Sequence, residues 1–213
     1  TGGINLTGDE AAAVLADSHV ARFTGTGDVG GYAIDGNTAF TDDYFAADAV
    51  SYYDNYDFIP ADRASYFGYE ECAYSDSRHT TATGRLTGSL ISGKLTAVYY
   101  DIYGNEVQRH ADNHLGYTDH TYSTFSYTDR PLTQRRLTQI GASDILTEDL
   151  RYTYDDKDRP LAVYHSLEEC DEVCLQSNTY NELLQVSEQT AGSTARTMTY
   201  DLQGRLTSIV SDV

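Results

Sequence analysis

One short motif constrains this chain more than any other feature, because it returns five times. Its order is an aromatic residue, a small polar one, two variable residues, Gly or Asp, a polar residue and then an aliphatic one. The copies read YDIYGNEV from Tyr100, FSYTDRPL from Phe125, YDDKDRPL from Tyr154, YNELLQV from Tyr180 and YDLQGRL from Tyr200. Their spacings are 25, 29, 26 and 20 residues. A period of this size marks a repeat architecture, in which each unit buries its face only against its neighbours. The first, third and fifth copies are strong. In the second Ser126 replaces Asp, and in the fourth Leu184 replaces Gly.

The physics of the unit is a β-turn. Asp101, Asp155 and Asp201 open three of the turns and Asn181 opens a fourth; such side chains hydrogen-bond the backbone N–H two residues on. Gly104, Asp129, Asp158 and Gly204 hold the fourth position, where type I turns favour them. Arg159 and Arg205 follow. The aromatic residue (Tyr100, Phe125, Tyr154, Tyr180 or Tyr200) ends one strand, and the aliphatic residue begins the next. The flanks alternate: Tyr152 and Tyr154 share one face, and Leu161, Val163, His165 and Leu167 share a face on the return strand. Each copy therefore reads as the tip of a hairpin, and a period near 25 residues holds two strands and two turns. Successive hairpins would lie side by side.

The expected fold is all-β: a curved antiparallel sheet of such hairpins with one short N-terminal helix. The helix candidate is LTGDEAAAVLADS, where Thr7 is a plausible N-cap and Asp9 and Glu10 suit the first turn. Residues 1–49 read as that helix and short strands, and 50–213 as the repeat sheet. Residues 68–93 read as an irregular, partly mobile excursion. Tyr occurs 19 times, against 6 Phe and no Trp, in keeping with half-buried strand faces.

The net charge of −19 repels nucleic acid backbones and anionic membranes. No D-x-[DN]-x-[DN]-G loop turns that charge into a calcium site. No run of 18 apolar residues spans a membrane. Cys72, Cys170 and Cys174 are an odd count, so at least one thiol has no partner within the chain; whether Cys170 and Cys174 bridge is open. The sequence starts at Thr1 and ends just after an apparent strand, which reads as a segment cut from something longer.

With the repeat in hand, the text resembles the RHS/YD-repeat family. YDxxGRL at this spacing, together with VSYYDNYDF (50–58), TGRLTGSL (83–90), AVYYDIYGNEVQ (97–108), NHLG (113–116) and HSLEECDEVCLQSNTYNEL (165–183), is similar to an internal segment of the long surface RHS proteins of Bacteroidetes. The resemblance covers about 50–213. It implies a strand-rich, secreted or surface-attached protein whose sheet encloses or presents a C-terminal effector. The partners it implies are the remaining repeats and that C-terminal domain. Autoprocessing members carry an Asp-Pro core motif; Pro60, Pro131 and Pro160 are not preceded by Asp, so this chain reads as wall and not payload.

Three patterns point elsewhere and fail on chemistry. His110, His114 and His120 have metzincin spacing, but that site needs a helix, a Glu after the first His and a Gly before the third. Ala111 and Tyr117 stand there, in strand and turn text. GTGDVGG (25–31) lacks the strand–turn–helix of a phosphate loop. The Asp pairs at 42–43 and 155–156 suggest twin carboxylates, but Asp155 is explained by its turn. The expectation is therefore no catalytic, cofactor or metal residue, and a non-enzymatic wall segment. The alternative is a binding module whose Tyr rows face a glycan or another cell surface. The strand after the last turn, about 205–213, should lie at a sheet edge.

Overall fold

The structure, a computed structural model, describes residues 20–27, 31–35, 49–168 and 170–212, with side chains from residue 49 onward. The helix expected over 6–18, the Asp42-Asp43 pair and part of the Gly-rich 25–31 stretch lie outside the described residues. β1 (Val20–Gly27) and β2 (Gly31–Asp35) form a two-stranded antiparallel sheet.

The remaining strands form one open antiparallel sheet in sequence order. They are β3 (Ala49–Asp54), β4 (Ala82–Ile91), β5 (Lys94–Tyr100), β6 (Glu106–Asp112), β7 (Thr118–Phe125), β8 (Pro131–Gln139), β9 (Ile145–Tyr154), β10 (Pro160–Leu167), β11 (Val173–Tyr180), β12 (Val186–Ala191), β13 (Thr194–Tyr200) and β14 (Leu206–Asp212). Every strand is bonded to the next in sequence, so each connection is local. β14 is an edge strand, where the sequence placed it.

One expectation is corrected. The stretch 68–93 is irregular only to residue 81, because Ala82–Ile91 is a ten-residue strand. Its glycines hid it. Gly88, opposite Tyr52, lies under Phe58, and a Cβ there would overlap the Phe58 ring. Phe58 stacks on Tyr52 with centroids 4.2 Å apart, so Gly88 leaves room for an aromatic pair on the strand surface. Gly84 (φ +77) sits where β4 is irregular and donates its N–H to Asp54 Oδ1 at 2.6 Å. Among the described residues there is also one short helical segment. After Pro60, a 3₁₀ turn over Ala61–Arg63 runs into a single helical turn, α1 (Ala64–Phe67). It buries Phe67, with the Arg63 guanidinium 4.4 Å from the ring centroid.

The described residues divide into two compact units, those up to 68 with 81–97, and 69–80 with those from 98 onward. In the first, Tyr52, Phe58, Phe67, Ala82, Leu95 and Ala97 are buried. In the second, burial concentrates at β5–β7, on Tyr99, Val107, Gln108, His110, Tyr122 and Ser123, and declines along the chain until every residue of β14 is exposed.

Candidate functional site

The five motif turns share one construction. The side chain at the first position accepts two backbone N–H groups of its own loop. Asp101 Oδ1 takes those of Gly104 (2.7 Å) and Asn105 (2.8 Å). Asp155 Oδ1 takes Lys157 and Arg159, each at 2.9 Å, and Asp201 Oδ1 takes Gln203 (3.0 Å) and Arg205 (2.8 Å). Asn181 Oδ1 does the same with Leu183 and Gln185, and even Ser126 Oγ reaches Thr128 and Arg130 at 3.3 and 3.1 Å.

The backbone closes each loop by an N–H of the first residue to the carbonyl of the fifth, as in Asp101 to Asn105 (3.0 Å) and Asp201 to Arg205 (2.9 Å). The fourth residue is left-handed in every copy: Gly104 (φ +104), Asp129 (+61), Asp158 (+59), Leu184 (+67) and Gly204 (+79). This is a type I turn followed by a left-handed residue, the usual three-residue hairpin loop. It explains why Gly or Asp belongs at that place, and it leaves Leu184 strained.

A sixth loop of this kind went unread in the sequence. Asn113 Oδ1 accepts Leu115 N–H (2.9 Å) and Tyr117 N–H (3.1 Å), and Gly116 is left-handed at φ +85. The signal was Asn and Gly three apart in NHLG. It joins β6 to β7, outside the row of aromatic-led turns.

The other motif residues bind the neighbouring hairpin. Tyr154 OH donates to Pro131 O (2.9 Å), Tyr180 OH to Pro160 O (2.8 Å) and Tyr200 OH to Val186 O (2.8 Å). In each case the acceptor is the first residue after the preceding turn. In three copies the fifth-position side chain reaches forward. Asn105 Nδ2 donates to Asp129 Oδ1 (2.8 Å), Gln185 Nε2 donates to Gly204 O (2.7 Å), and Arg159 lies 4.1 Å from the centroid of Tyr180. Two of the three fifth-position arginines also turn back: Arg159 Nε bonds Asp155 Oδ2 (2.6 Å) and Arg205 Nε bonds Asp201 Oδ2 (2.7 Å). Desolvation pushes the Asp155 carboxyl up, but the Arg159 side chain and the N–H groups of Arg159 and Lys157 outweigh it and hold it at about 2.

Register follows from these stitches and is the same at four joins. Counting the aromatic residue as zero, position eight of one hairpin faces the residue three before the next aromatic one. The pairs are Gln108 with Tyr122, Thr133 with Arg151, Ala162 with Ser177, and Glu188 with Thr197. The unequal repeat spacings are therefore absorbed at the far ends of the hairpins.

The second constellation is a strap, residues 69–80, over the β5–β7 face. Gln108 Nε2 donates to Glu70 O and to Ser75 Oγ (2.7 Å), and Gln108 Oε1 accepts Glu70 N–H at 3.1 Å. Tyr122 OH donates to Glu70 Oε2 (2.7 Å), and Asp76 Oδ2 accepts Phe125 N–H (2.7 Å). His110 and His120 face each other across β6–β7 with their Nδ1 atoms 2.6 Å apart. His110 Nε2 lies 3.3 Å from Gln108 Oε1, an acceptor already fixed by Glu70. His110 therefore carries its proton on Nε2, and His120 donates from Nδ1.

Burial, with His120 adding to it, drives His110 down to about 3. Burial also lowers His120, against the pull of Glu70 and Asp119. His114 sits apart in the 113–117 turn, so the three histidines do not converge. Two ring nitrogens at 2.6 Å are also too close to serve as tetrahedral zinc ligands, whose bonds run about 2.0–2.1 Å. Among the described residues no group of three His, Cys, Asp or Glu is placed to hold a metal ion. Cys72, Cys170 and Cys174 are free thiols, the last two exposed.

No family model matches the chain, and no curated protein matches it. Among solved structures it is similar to a chain of the crystal structure of TcdB2-TccC3-Cdc42. The match has 18% identity and a TM-score of 0.47, over 61% of this chain and 7% of that one. The chain thus matches a small part of that protein's length.

Proposed function

We propose that the chain is a non-enzymatic wall segment of a secreted or cell-surface repeat protein, its sheet enclosing or presenting another part of the parent chain. One observation carries the reading. The motif's recognisable residues act on their own loop or on the adjacent hairpin: Asp and Asn on the loop, Tyr on the preceding return strand, and the fifth residue on the following turn or its aromatic residue. Chemistry of that kind extends a sheet. The resemblance to RHS/YD-repeat proteins supports the same reading and is the basis for the location and for a C-terminal partner. Net charge disfavours nucleic acid as a partner, and no described helix is long and apolar enough to cross a membrane.

Protease digestion of the parent chain tests this. The enclosed or presented part should resist cleavage, and the double variant Asp155→Ala/Asp201→Ala should make it accessible. Equal cleavage with and without intact turns contradicts a wall.

A second reading, a glycan-binding face, has one observation in its favour. A cavity of about 400 Å³ is lined by Ser77, Arg78 and His79 of the strap and by Tyr103 and Tyr127 at two hairpin tips. Both tyrosines are largely exposed and neither hydroxyl has a part in its turn. Glycan-array binding lost in Tyr103→Ala/Tyr127→Ala, with folding unchanged, would favour it.

A further inference from the structure

We propose that residues 69–80 are an acid-released latch: protonation of the His110–His120 pair undocks this strap from the β5–β7 face while the later hairpins stay folded. The proposal concerns one patch of the molecule and does not depend on the wall reading.

Proton count is what the geometry fixes. The Nδ1 atoms of His110 and His120 are 2.6 Å apart. One proton bridges such a gap, and two N–H groups facing each other cannot occupy it. Gln108 decides which ring supplies that proton. Its Nε2 is held by Glu70 O and Ser75 Oγ, and its Oε1 takes the Glu70 N–H, so the amide cannot flip. Oε1 also faces His110 Nε2 at 3.3 Å, which leaves His110 Nδ1 as an acceptor. His110 is therefore neutral by construction, and it is 1% exposed. A proton added at its Nδ1 finds no acceptor and meets the His120 N–H head-on. His120 has room for one on Nε2, which the charges of Glu70 and Asp119 favour.

The amide that fixes the pair also holds the strap, through its three bonds to Glu70 and Ser75. The groups around the pair come from every neighbouring element. The strap brings Glu70, whose Oε2 accepts the Tyr122 hydroxyl, Cys72 near Tyr122, and Arg78 over Tyr99. β5 brings Tyr99, edge-on to His110. β7 brings Tyr122, its ring parallel to that of His120, and Asp119, which is tied to Asn113 and to Arg136 of β8. Parting the two rings, as a second positive charge requires, pulls Gln108 off Glu70 and frees the strap. The rings then stand in water and take up protons in the ordinary imidazole range. The open form binds more protons than the docked one, so falling pH favours it. Further strap bonds run from Asp76 N–H to Ser123 O, from Phe125 N–H to Asp76 Oδ2 and from His79 N–H to Tyr100 O. They are separate from the ladders between the later strands, which persist when the strap leaves.

Hydrogen exchange on the intact chain between pH 7 and pH 5, corrected for intrinsic rates, tests the latch. The amides of Glu70, Asp76, His79 and Phe125 report the strap. With His110 held at about 3 when docked and at its ordinary 6.5 when open, their opening constant should rise about 25-fold over that range. The amides of Asp155 and Asp201 should keep their protection. His110→Phe/His120→Phe retains two flat rings without the titration, and the rise should shrink to less than about threefold. Glu70→Gln keeps an acceptor for Tyr122 and should leave the rise in place. If the double variant does not fold, ¹⁵N NMR of the unaltered chain decides. A coupling between the two Nδ1 nuclei should be present at pH 7 and vanish on the same titration curve as strap protection.

Strap protection that ignores pH, or an undiminished rise in the double variant, overturns the proposal. So does loss of the rise in Glu70→Gln, since the carboxylate would then be the sensor, and so does absence of the coupling at pH 7. An equal rise at Asp155 and Asp201 would show acid loosening the whole sheet, with no latch in it.

Discussion

Residues 98–125 and residues 145–212 carry the same turn and the same alternating strands, yet different forces hold them. Around β5–β7 the strap covers the sheet, and Tyr99, Val107, His110 and Tyr122 are almost wholly removed from water. In the later hairpins large apolar side chains stand in solvent: Val173, Leu175, Leu202, Ile209 and Val210 are exposed. Those hairpins are joined by ladder bonds, by hydroxyl pairs across strands such as Ser177–Thr190 and Thr199–Thr207, and by the turn stitches. Arginines brace the strands between, Arg135 against Asp149 and Tyr74, and Arg151 against Glu172 and Tyr164. The comparison teaches that this motif keeps one register both where the strap covers the sheet and where no described residue does.

Truncating one apolar side chain in each region is the hardest test. Tyr99→Ala removes a fully buried ring and should cost about 3–5 kcal/mol in urea unfolding, the range for large aromatic truncations. Leu202→Ala, at a hairpin tip and 99% exposed, should stay within about 0.5 kcal/mol. Similar losses at both sites would mean that the later hairpins are buried in solution and that the contrast is false.

Acid should separate the regions again, in opposite order to their burial. The folded pKa of His110 is held at about 3, below its ordinary 6.5. The unfolded chain therefore takes up protons first, and stability at β5–β7 drains as pH falls from about 6.5 toward 3. Asp155 is held at about 2 against an ordinary 3.8, so its turn weakens only between about pH 4 and 2. Residue-resolved hydrogen exchange should show the strap and β6–β7 losing protection by pH 5 while the Asp155 turn keeps its own. Loss at the Asp155 turn first would reverse the assignment.

The single bond to Asp101 Oδ1 from each of Gly104 and Asn105, with Asn105 Nδ2 on Oδ2 at 2.9 Å, serves a largely buried carboxylate. Asp101→Ala leaves those donors without it and should cost about 1–3 kcal/mol. At Leu184 the sign reverses. Its φ of +67 suits Gly, so Leu184→Gly should raise stability by about 1 kcal/mol, as read from the denaturant midpoint.

How much of this was legible depends on sequence separation. The turns could be read because Asp, its amide donors and the left-handed residue lie within five positions of one another. Their stitches could not be, since nothing in YDLQGRL states that Tyr200 reaches back to Val186. The strap was opaque for the same reason on a larger scale: Glu70 meets Tyr122, and Asp76 meets Phe125, about fifty residues away. β4 was missed because Gly88 argued locally for a break, whereas the reason for it, the Phe58 ring, is brought there by the fold. The His110–His114–His120 spacing misled in the other direction. A strand pairs His110 with His120 and sends His114 into a turn.

The smallest expected effect concerns the one hairpin whose aromatic residue lacks a hydroxyl. Phe125 stands where Tyr154, Tyr180 and Tyr200 stand in their repeats, and it lines a cavity with Glu106, the first residue after the preceding turn. By the rule the other three follow, a hydroxyl at this site would donate to Glu106 O. Phe125→Tyr adds that group at the end of a half-buried ring, where the gain is one neutral hydrogen bond less some desolvation. The expected stabilisation is about 0.5 kcal/mol. It should vanish when the neighbouring Asn105 to Asp129 stitch is removed by Asn105→Ala, if the two bonds hold the same pair of turns in place. A gain that persists unchanged in the double variant would show the stitches acting independently, and a loss of stability would show that the first join is built differently from the three that follow.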